Sequence, residues 1–155
     1  MAAFKFNLEF LLTLRRRLEE QAAGTLAKRL KVIRELEARV VDMERVKETL
    51  QDDLKAHIEK GSATPPLLNM YSEFQAKLFQ DKMNAEKLLE KSRLEEVKER
   101  AALRKRVMER QLMERFKEKK ADEWKDGELK LEQNVIEEMA ALVKARKIRM
   151  EKDGT

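Results

Sequence analysis

One short stretch interrupts a sequence that is otherwise compatible with helix: Lys60-Gly61-Ser62-Ala63-Thr64-Pro65-Pro66. Both prolines of the chain lie here. Proline lacks an amide proton and forces the preceding residue out of the helical region, so a helix cannot continue through it. Proline is nevertheless well suited to the first turn of a new helix. The sequence therefore predicts one helix over about 4–59, a bend over 60–66 and a second helix over about 66–150.

The first predicted helix carries a single apolar stripe. Its apolar residues follow each other three or four positions apart, which is the spacing of an amphipathic helix. The stripe consists of Leu8, Leu11, Leu14, Leu18, Ala22, Leu26, Leu30, Ile33, Leu36, Val40, Met43, Val46, Leu50, Leu54 and Ile58.

The second predicted helix carries three apolar runs that differ in phase. The first run is Leu67, Tyr71, Phe74, Leu78, Ala85 and Leu88, and the second is Leu94, Val97, Ala101, Met108, Leu112 and Phe116. A shift of this kind resembles a coiled-coil stutter, so the sequence leaves open how the helices pair between Leu89 and Leu112. The third run is Leu131, Val135, Ile136, Met139, Leu142 and Val143.

The composition indicates a coiled coil rather than a globular domain. Charged residues make up 42% of the chain and aromatic residues 5%, whereas about 25% charged residues is typical of globular domains. Such a charge content also suits a disordered chain, but the apolar periodicity argues against disorder. Since a short bend favours packing between neighbouring helices, we predict an all-α fold: two long helices in an antiparallel coiled-coil hairpin, as a single elongated domain over 1–155.

A hairpin with Ile58 opposite Leu67 has a defined approximate register. It places Val46 opposite Phe79, Phe10 opposite Arg115 and Phe4 opposite Ala121. The aromatic residues then form one group near the bend and another at the far end, the latter containing Phe4, Phe6, Phe10 and Phe116, with Trp124 nearby. Each group is either an end of a thin core or a contact patch for another protein.

The second helix is longer than the first, so about thirty residues should extend beyond it. The apolar run from Leu131 to Val143 then has no partner within the chain. It is either a frayed tail or, as we favour, an amphipathic helix that binds in a groove on another protein.

The sequence contains no motif for catalysis or for a cofactor. It has no cysteine, which excludes disulfides, thiol catalysis and zinc–cysteine sites. His57 stands alone, and Glu137-Glu138 lies on a charged face without a pocket. We therefore expect no catalytic residues, no metal and no cofactor. No apolar run approaches the roughly 18 residues of a membrane span, and charged residues interrupt the apolar N-terminus, so we expect no signal peptide.

The sequence contains basic runs, which are compatible with more than one class of partner. Examples are Arg15-Arg16-Arg17 and Arg104-Lys105-Arg106. Nucleic acid or acidic lipid would suit them. Acidic residues are interspersed, however, and no recognition motif is present. A solvated surface or an acidic protein partner is therefore the favoured interpretation, and no nucleic acid is expected.

Several motifs in this order resemble the FliJ family of the flagellar type III export apparatus. The opening Phe4-Lys5-Phe6-Asn7-Leu8-Glu9-Phe10-Leu11-Leu12-Thr13-Leu14-Arg15 is similar to the start of the family. Tyr71, Phe74 and Leu78 resemble the beginning of its second helix. The run from Ala102 to Phe116, then Trp124 and Glu137-Glu138-Met139-Ala140, resembles its C-terminal pattern, with Glu137 where Asp is more usual.

The resemblance implies a non-enzymatic, stalk-like coiled coil similar to that of a rotary ATPase gamma subunit. It also implies three partners: the ring of the export ATPase, the cytoplasmic domain of the membrane export-gate protein FlhA, and export chaperones. Membrane association would be indirect, with the protein in the cytoplasm at the face of the inner membrane. Gate-binding residues would then be Phe74, Leu78 and Tyr71, with Val46 and Leu50 placed opposite them by the register. ATPase-binding residues would be Phe4, Phe6, Leu8, Leu11, Phe116, Trp124, Leu131, Val135 and Met139.

Three alternatives stay open at this point. One is the equivalent stalk of a virulence type III secretion system. Another is a basic coiled coil that binds nucleic acid or a membrane surface. The third is a generic dimeric coiled-coil scaffold.

Overall fold

The structure is a computed structural model that describes residues 2–154. Helix α1 spans Glu9–Glu59 and helix α2 spans Pro65–Asp153, and the described residues contain no strand. The two helices pack against each other as an antiparallel hairpin, which confirms the predicted fold class. Met1 and Thr155, which the predicted domain also includes, lie outside the described residues.

The bend between the helices is closed by a Schellman motif. The amide of Ser62 donates to the carbonyl of His57 at 3.0 Å, and the amide of Gly61 donates to the carbonyl of Ile58 at 3.1 Å. These two bonds satisfy carbonyls that the end of α1 would otherwise leave unpaired. The motif needs a left-handed residue, and Gly61 has a φ of 70°. A side chain would strain this backbone, which explains why glycine stands here.

Helix α2 begins with the residues that suit a helix start. The Thr64 side-chain oxygen accepts a hydrogen bond from the Leu67 amide at 3.4 Å, as an N-cap residue does. Pro65 occupies the first helical position, where its missing amide proton costs no hydrogen bond.

Helix α1 begins later than the sequence predicts, at Glu9 rather than at Phe4. Its first bonds run from the Glu9 amide to the Phe6 carbonyl and from the Leu12 amide to the Leu8 carbonyl, both at 3.1 Å. The residues before it are non-helical, and two of them, Phe4 and Phe6, pack their rings on α2. Packing of these rings has therefore overridden the weak helical preference of a short terminal segment.

The chain divides into two compact units. The bend unit is Arg17–Val107, and the terminal unit combines Met1–Arg16 with Met108–Thr155. Each is described separately below. The assignment of the whole chain to a single domain stays a prediction.

The core of the bend unit is a narrow aliphatic seam. Leu26 and Ile33 of α1 and Ala85 and Leu89 of α2 are its buried apolar residues. The α1 residues belong to the predicted stripe. On α2 the seam follows Leu89 rather than Leu88, which is 52% exposed.

The phase shift of the second run on α2 now has a structural reason. Leu94 and Val97 of the bend unit are 61% and 64% exposed, while Ser92 is buried and Leu103 is half-buried. Leu94 and Val97 therefore lie on the outer face of the helix and do not continue the seam. Ser92 and Leu103 lie on the inner side instead, and a search for apolar periodicity does not detect a buried serine.

Charge pairs between the helices flank the seam of the bend unit. Nε and Nη2 of Arg29 donate to the Glu99 carboxylate at 3.1 to 3.4 Å, and Arg93 Nη2 donates to Glu37 at 3.0 Å. A third pair joins Lys82 to Glu44. The guanidinium fork of Arg29 suits a carboxylate better than an ammonium would. Its hydrogen bond to Glu99 raises the pKa of Arg29.

Among the described residues of the terminal unit, Leu12 is the one fully buried large side chain. Lys117 and Glu9 pair at 2.7 Å, and Arg15 and Glu109 at 2.9 Å. These contacts lie within one helical turn of the predicted register, which placed Phe10 opposite Arg115. The predicted register is therefore confirmed to this precision.

Candidate protein-binding surfaces

The bend unit has an open apolar groove beside the start of α2, here called the bend groove. Its volume is about 500 Å³. Phe74 is 48% exposed and Met70 66% exposed, although both are large apolar side chains. The lining residues are Leu50, Leu67, Met70, Tyr71, Glu73, Phe74 and Lys77. An exposed apolar concavity with charged side chains at its edge has the form of a docking site for another protein.

A second groove of the bend unit is smaller and more polar. Its volume is about 260 Å³, and Met43, Lys47, Gln51, Gln75, Leu78, Phe79 and Lys82 line it. Phe79 is its most exposed large apolar residue, at 65%. We call it the Phe79 groove.

The structure divides the residues predicted to bind the gate between these grooves. Tyr71, Phe74 and Leu50 line the bend groove, whereas Leu78 lines the Phe79 groove. Val46 lines neither of the two and is 43% exposed. The residues predicted to bind the gate therefore do not all line one concavity.

Sequence reasoning missed two contributors to these grooves. Met70 follows Leu67 and precedes Phe74 at helical spacing, so a wider apolar stripe would have included it. Phe79 was placed near the bend by the register, but nothing in the sequence assigned it to a different groove from Phe74.

Tyr71 lies beside the last turn of α1. The rings of His57 and Tyr71 are 6.3 Å apart between centroids. His57 Nδ1 in turn lies 2.9 Å from the Ser62 hydroxyl. Both rings are half-buried, so His57 adjoins the bend groove through Tyr71.

An aromatic cluster joins the N-terminal segment to α2 in the terminal unit. The rings of Phe4 and Trp124 are 6.2 Å apart between centroids, and those of Phe6 and Phe116 are 6.0 Å apart at an angle of 61°. These separations are typical of favourable tilted and edge-to-face pairs. Four of the residues predicted to bind the ATPase are thus brought together. Phe10, also expected at this end, is 69% exposed and makes no ring contact within the part of the chain described.

A groove borders the aromatic cluster. It has a volume of about 360 Å³ and is lined by Phe4, Lys5, Phe6, Asn7, Leu8, Phe116 and Lys120. Lys120 Nζ lies 5.6 Å from the centroid of the Phe116 ring, within cation–π range. Leu8 and Leu11, the other two predicted residues of this segment, are half-buried.

The end of α2, residues 129–153, is exposed throughout and is here called the C-terminal segment. Leu131, Val135 and Met139 are 61%, 49% and 62% exposed. The predicted uncovered stripe is therefore present. It is helical along its whole length and is not buried by the rest of the terminal unit.

Some basic side chains of the terminal unit pair with carboxylates. Arg16 contacts Glu114 at 3.6 Å, and Lys120 contacts Glu123 at 2.8 Å. The hydrogen bond from Lys120 lowers the pKa of the Glu123 carboxyl.

The described residues contain neither a candidate metal site nor a candidate membrane span. Within residues 2–154, no group of three or more His, Asp or Glu side chains is arranged to hold a metal ion. No helix in that range is long and apolar enough to cross a membrane. The molecule has exposed apolar grooves and an exposed amphipathic helix, and such features are typical of proteins that bind other proteins.

Comparison with known proteins identifies the family. The family model described as flagellar FliJ protein matches residues 4–149. No curated protein and no solved structure gives a significant match. Because the family match covers nearly the whole chain, including the N-terminal aromatic segment, both grooves and most of the C-terminal segment, this protein belongs to the FliJ family and is a component of the flagellar export apparatus.

Proposed function

We propose that this protein is a non-enzymatic coupling component that links the export ATPase ring to the FlhA export gate. The observation that supports the proposal is a pair of unlike apolar surfaces. The bend unit offers the bend groove around Phe74, while the terminal unit offers the aromatic cluster and the C-terminal segment. A protein with two such surfaces can bind two partners at once, which coupling requires.

The cytoplasmic domain of FlhA is the proposed partner of the bend unit. Phe74 combines a large apolar side chain, 48% exposure and a concave surrounding, as interface hot spots do. Tyr71 forms the adjoining wall and lies beside His57. An apolar side chain of the gate protein would enter the groove, and Lys77 and Glu73 at the edge would set its orientation.

The export ATPase ring is the proposed partner of the terminal unit. The aromatic cluster fixes the N-terminal segment on α2, and the exposed stripe of Leu131, Val135 and Met139 supplies an apolar helix face. A helix with one apolar face can bury it in a groove or in the central opening of a ring. Binding within the ring would promote its assembly, because a ligand that binds only the assembled form stabilises that form.

The coupling itself would use the two helices, each of which runs without interruption through both units. ATP hydrolysis would change the contacts at the terminal unit, and the helices would transmit that change to the gate. The protein would act in the cytoplasm at the inner membrane, held there by the gate. Export chaperones would bind an exposed surface that the other two partners leave uncovered, and the Phe79 groove is our candidate for it.

The proposal predicts that binding to each of the two partners can be abolished separately. Phe74→Ala should weaken binding to the purified cytoplasmic domain of FlhA by about tenfold or more, as the truncation of a hot-spot side chain does. Calorimetry with the full chain measures this affinity. Val97→Ala is the matched control, since Val97 is 64% exposed and lies outside both grooves.

The second half of the test is the export ATPase. A chain that ends after residue 128 lacks the exposed stripe and should lose stimulation of ring assembly while it retains its affinity for FlhA. Circular dichroism should show that Phe74→Ala retains its helices, because Phe74 is half exposed. If Phe74→Ala binds FlhA normally, or if both changes impair both partners equally, the proposal is wrong.

A further inference from the structure

The two helices contain internal glycines that the packing of the chain does not require. Gly24 lies within α1 and Gly127 within α2. Neither has a positive φ, since Gly61 is the one described glycine that does. Apart from its own turn of helix, a Cβ atom added at Gly24 or at Gly127 would meet no atom within 4 Å. Glycine weakens a helix relative to alanine, so each of them lowers the stability of its helix without a gain in packing.

Contacts between the helices hold α1 together on both sides of Gly24. Leu26, two residues away, is buried in the seam of the bend unit, and Ala22 is half-buried. Arg29 bonds the Glu99 carboxylate of α2 through two nitrogen atoms, at 3.1 to 3.4 Å. The helix can therefore open at Gly24 only if these contacts with α2 break as well.

Gly127 lies where the cover of α2 ends. Trp124 is half-buried and pairs with the Phe4 ring, and Glu128 is the last half-buried residue of the helix. Every residue from 129 to 153 is exposed. Most helices in proteins owe their stability to packing against other elements. The helix of the C-terminal segment depends instead on interactions within the segment itself.

The charged side chains of this segment do little to stabilise its helix. Between residues 128 and 153, no acidic residue precedes a basic one by three or four positions, which is the favourable order for an ion pair on a helix. The less favourable order occurs twice, both times in the last two turns, where Lys147 and Arg149 precede acidic residues. Glu128 and Glu132 carry like charges four positions apart, which destabilises a helix.

We infer that Gly127 divides α2 into two parts that unfold separately, and that the C-terminal segment is an order–disorder element. The part before Gly127 keeps its helix as long as the terminal unit is folded. The C-terminal segment loses and regains its helix while that unit stays folded, and glycine in place of alanine shifts this equilibrium about fivefold towards the open form. The inference concerns the free chain and does not rest on the proposed function.

Separate unfolding has a consequence for any partner that binds this segment. A partner that takes the exposed face of Leu131, Val135 and Met139 as a helix binds the ordered form. Its apparent affinity is therefore reduced by the fraction of the chains in which the segment is ordered. Because Gly127 lowers that fraction, it favours release of the partner without disturbing the packed part of the chain.

Amide hydrogen exchange of the full chain, followed residue by residue by NMR, tests the inference. Amides of residues 131–150 should be protected by no more than about tenfold relative to an unfolded peptide, and those of residues 108–120 by more than about a hundredfold, because only the latter need the packed helices to open. Gly127→Ala should slow the exchange of residues 131–150 by about fivefold. It should leave the amides around Leu26 unchanged.

Gly24→Ala is the matched control, since it makes the same substitution at an equally open helical position. Here the contacts with α2 couple the helix to unfolding of the bend unit. Amides around Leu26 should therefore exchange about fivefold more slowly, and those of residues 131–150 should not change. Three results would each overturn the inference: equal protection of residues 131–150 and 108–120, unchanged exchange of residues 131–150 in Gly127→Ala, or slower exchange around Leu26 in that variant.

Discussion

The two units contain similar helices but are held together by different side chains. In the bend unit a thin aliphatic seam of residues such as Leu26 and Leu89 is flanked by charge pairs between helices. In the terminal unit α1 has barely begun, so Leu12 is the one fully buried large side chain among the residues described there, and rings of the N-terminal segment supply further contact. Where two helices run side by side, a regular seam is sufficient. Where one of them ends, aromatic side chains compensate for the shorter contact.

The largest effect should come from the buried leucines. Leu12→Ala removes a side chain with no exposed surface, and Leu26→Ala removes one that is 7% exposed. Each should cost about 2–4 kcal/mol of unfolding free energy, since a cavity remains in a core that has little freedom to collapse. Urea denaturation followed by circular dichroism measures the loss.

Leu14 offers the matched control for Leu12. It lies two residues away, has the same side chain and is 44% exposed. Leu14→Ala should change stability by about 0.5 kcal/mol or less. If Leu14→Ala costs as much as Leu12→Ala, the assignment of the core in the terminal unit is wrong.

The next effect concerns the aromatic contacts that distinguish the terminal unit. Phe4→Ala should cost about 1–2 kcal/mol, because a half-buried ring and its pairing with Trp124 are both lost. Trp124 is the only tryptophan of the chain, so its fluorescence reports on this unit directly. Its emission should shift to longer wavelength as water reaches the indole.

Phe10→Ala is the corresponding control, since Phe10 is 69% exposed. It should leave the emission of Trp124 unchanged. An equal shift in both variants would show that the N-terminal segment is not held by the Phe4 ring, and the contrast between the units would then fail.

The difference between the units also explains what could be read from the sequence. The helices, their antiparallel pairing and their register to within a turn could be predicted from two features of the sequence. These are the regular apolar spacing from Leu8 to Leu54 and the break from Gly61 to Pro66. These features follow from period and from proline chemistry, which act locally. The same reasoning could not detect that Ser92 would be buried while Leu94 faces outward, because which face of α2 meets α1 depends on the packing of both helices.

The candidate surfaces were only partly predictable for the same reason. The uncovered segment from Leu131 onward follows from unequal helix lengths, and exposure at these residues agrees with it. The separation of Phe74 from Leu78 into two grooves does not follow from spacing, because residues four apart lie near each other on a helix. Each groove also depends on side chains of α1, Leu50 in one and Met43 in the other, which the spacing along α2 does not reveal.

The smallest expected effect comes from a charge pair within α2 of the terminal unit. Lys120 holds the pKa of the Glu123 carboxyl below its ordinary value of 4.5. A carboxyl whose pKa is lowered by folding stabilises the folded state above its unfolded pKa, and this contribution disappears as the pH falls through the folded value. Glu123→Gln should therefore lower the midpoint of thermal unfolding slightly at neutral pH, while at pH values below the lowered pKa the variant and the original chain should unfold together. Fluorescence of Trp124, one residue away, follows the unit in which the pair lies. Asp122→Gln is the control, since Asp122 directly precedes Glu123 and its replacement removes the same kind of charge. A loss of stability in Glu123→Gln that persists at acid pH would show that the side chain acts through packing rather than through its charge.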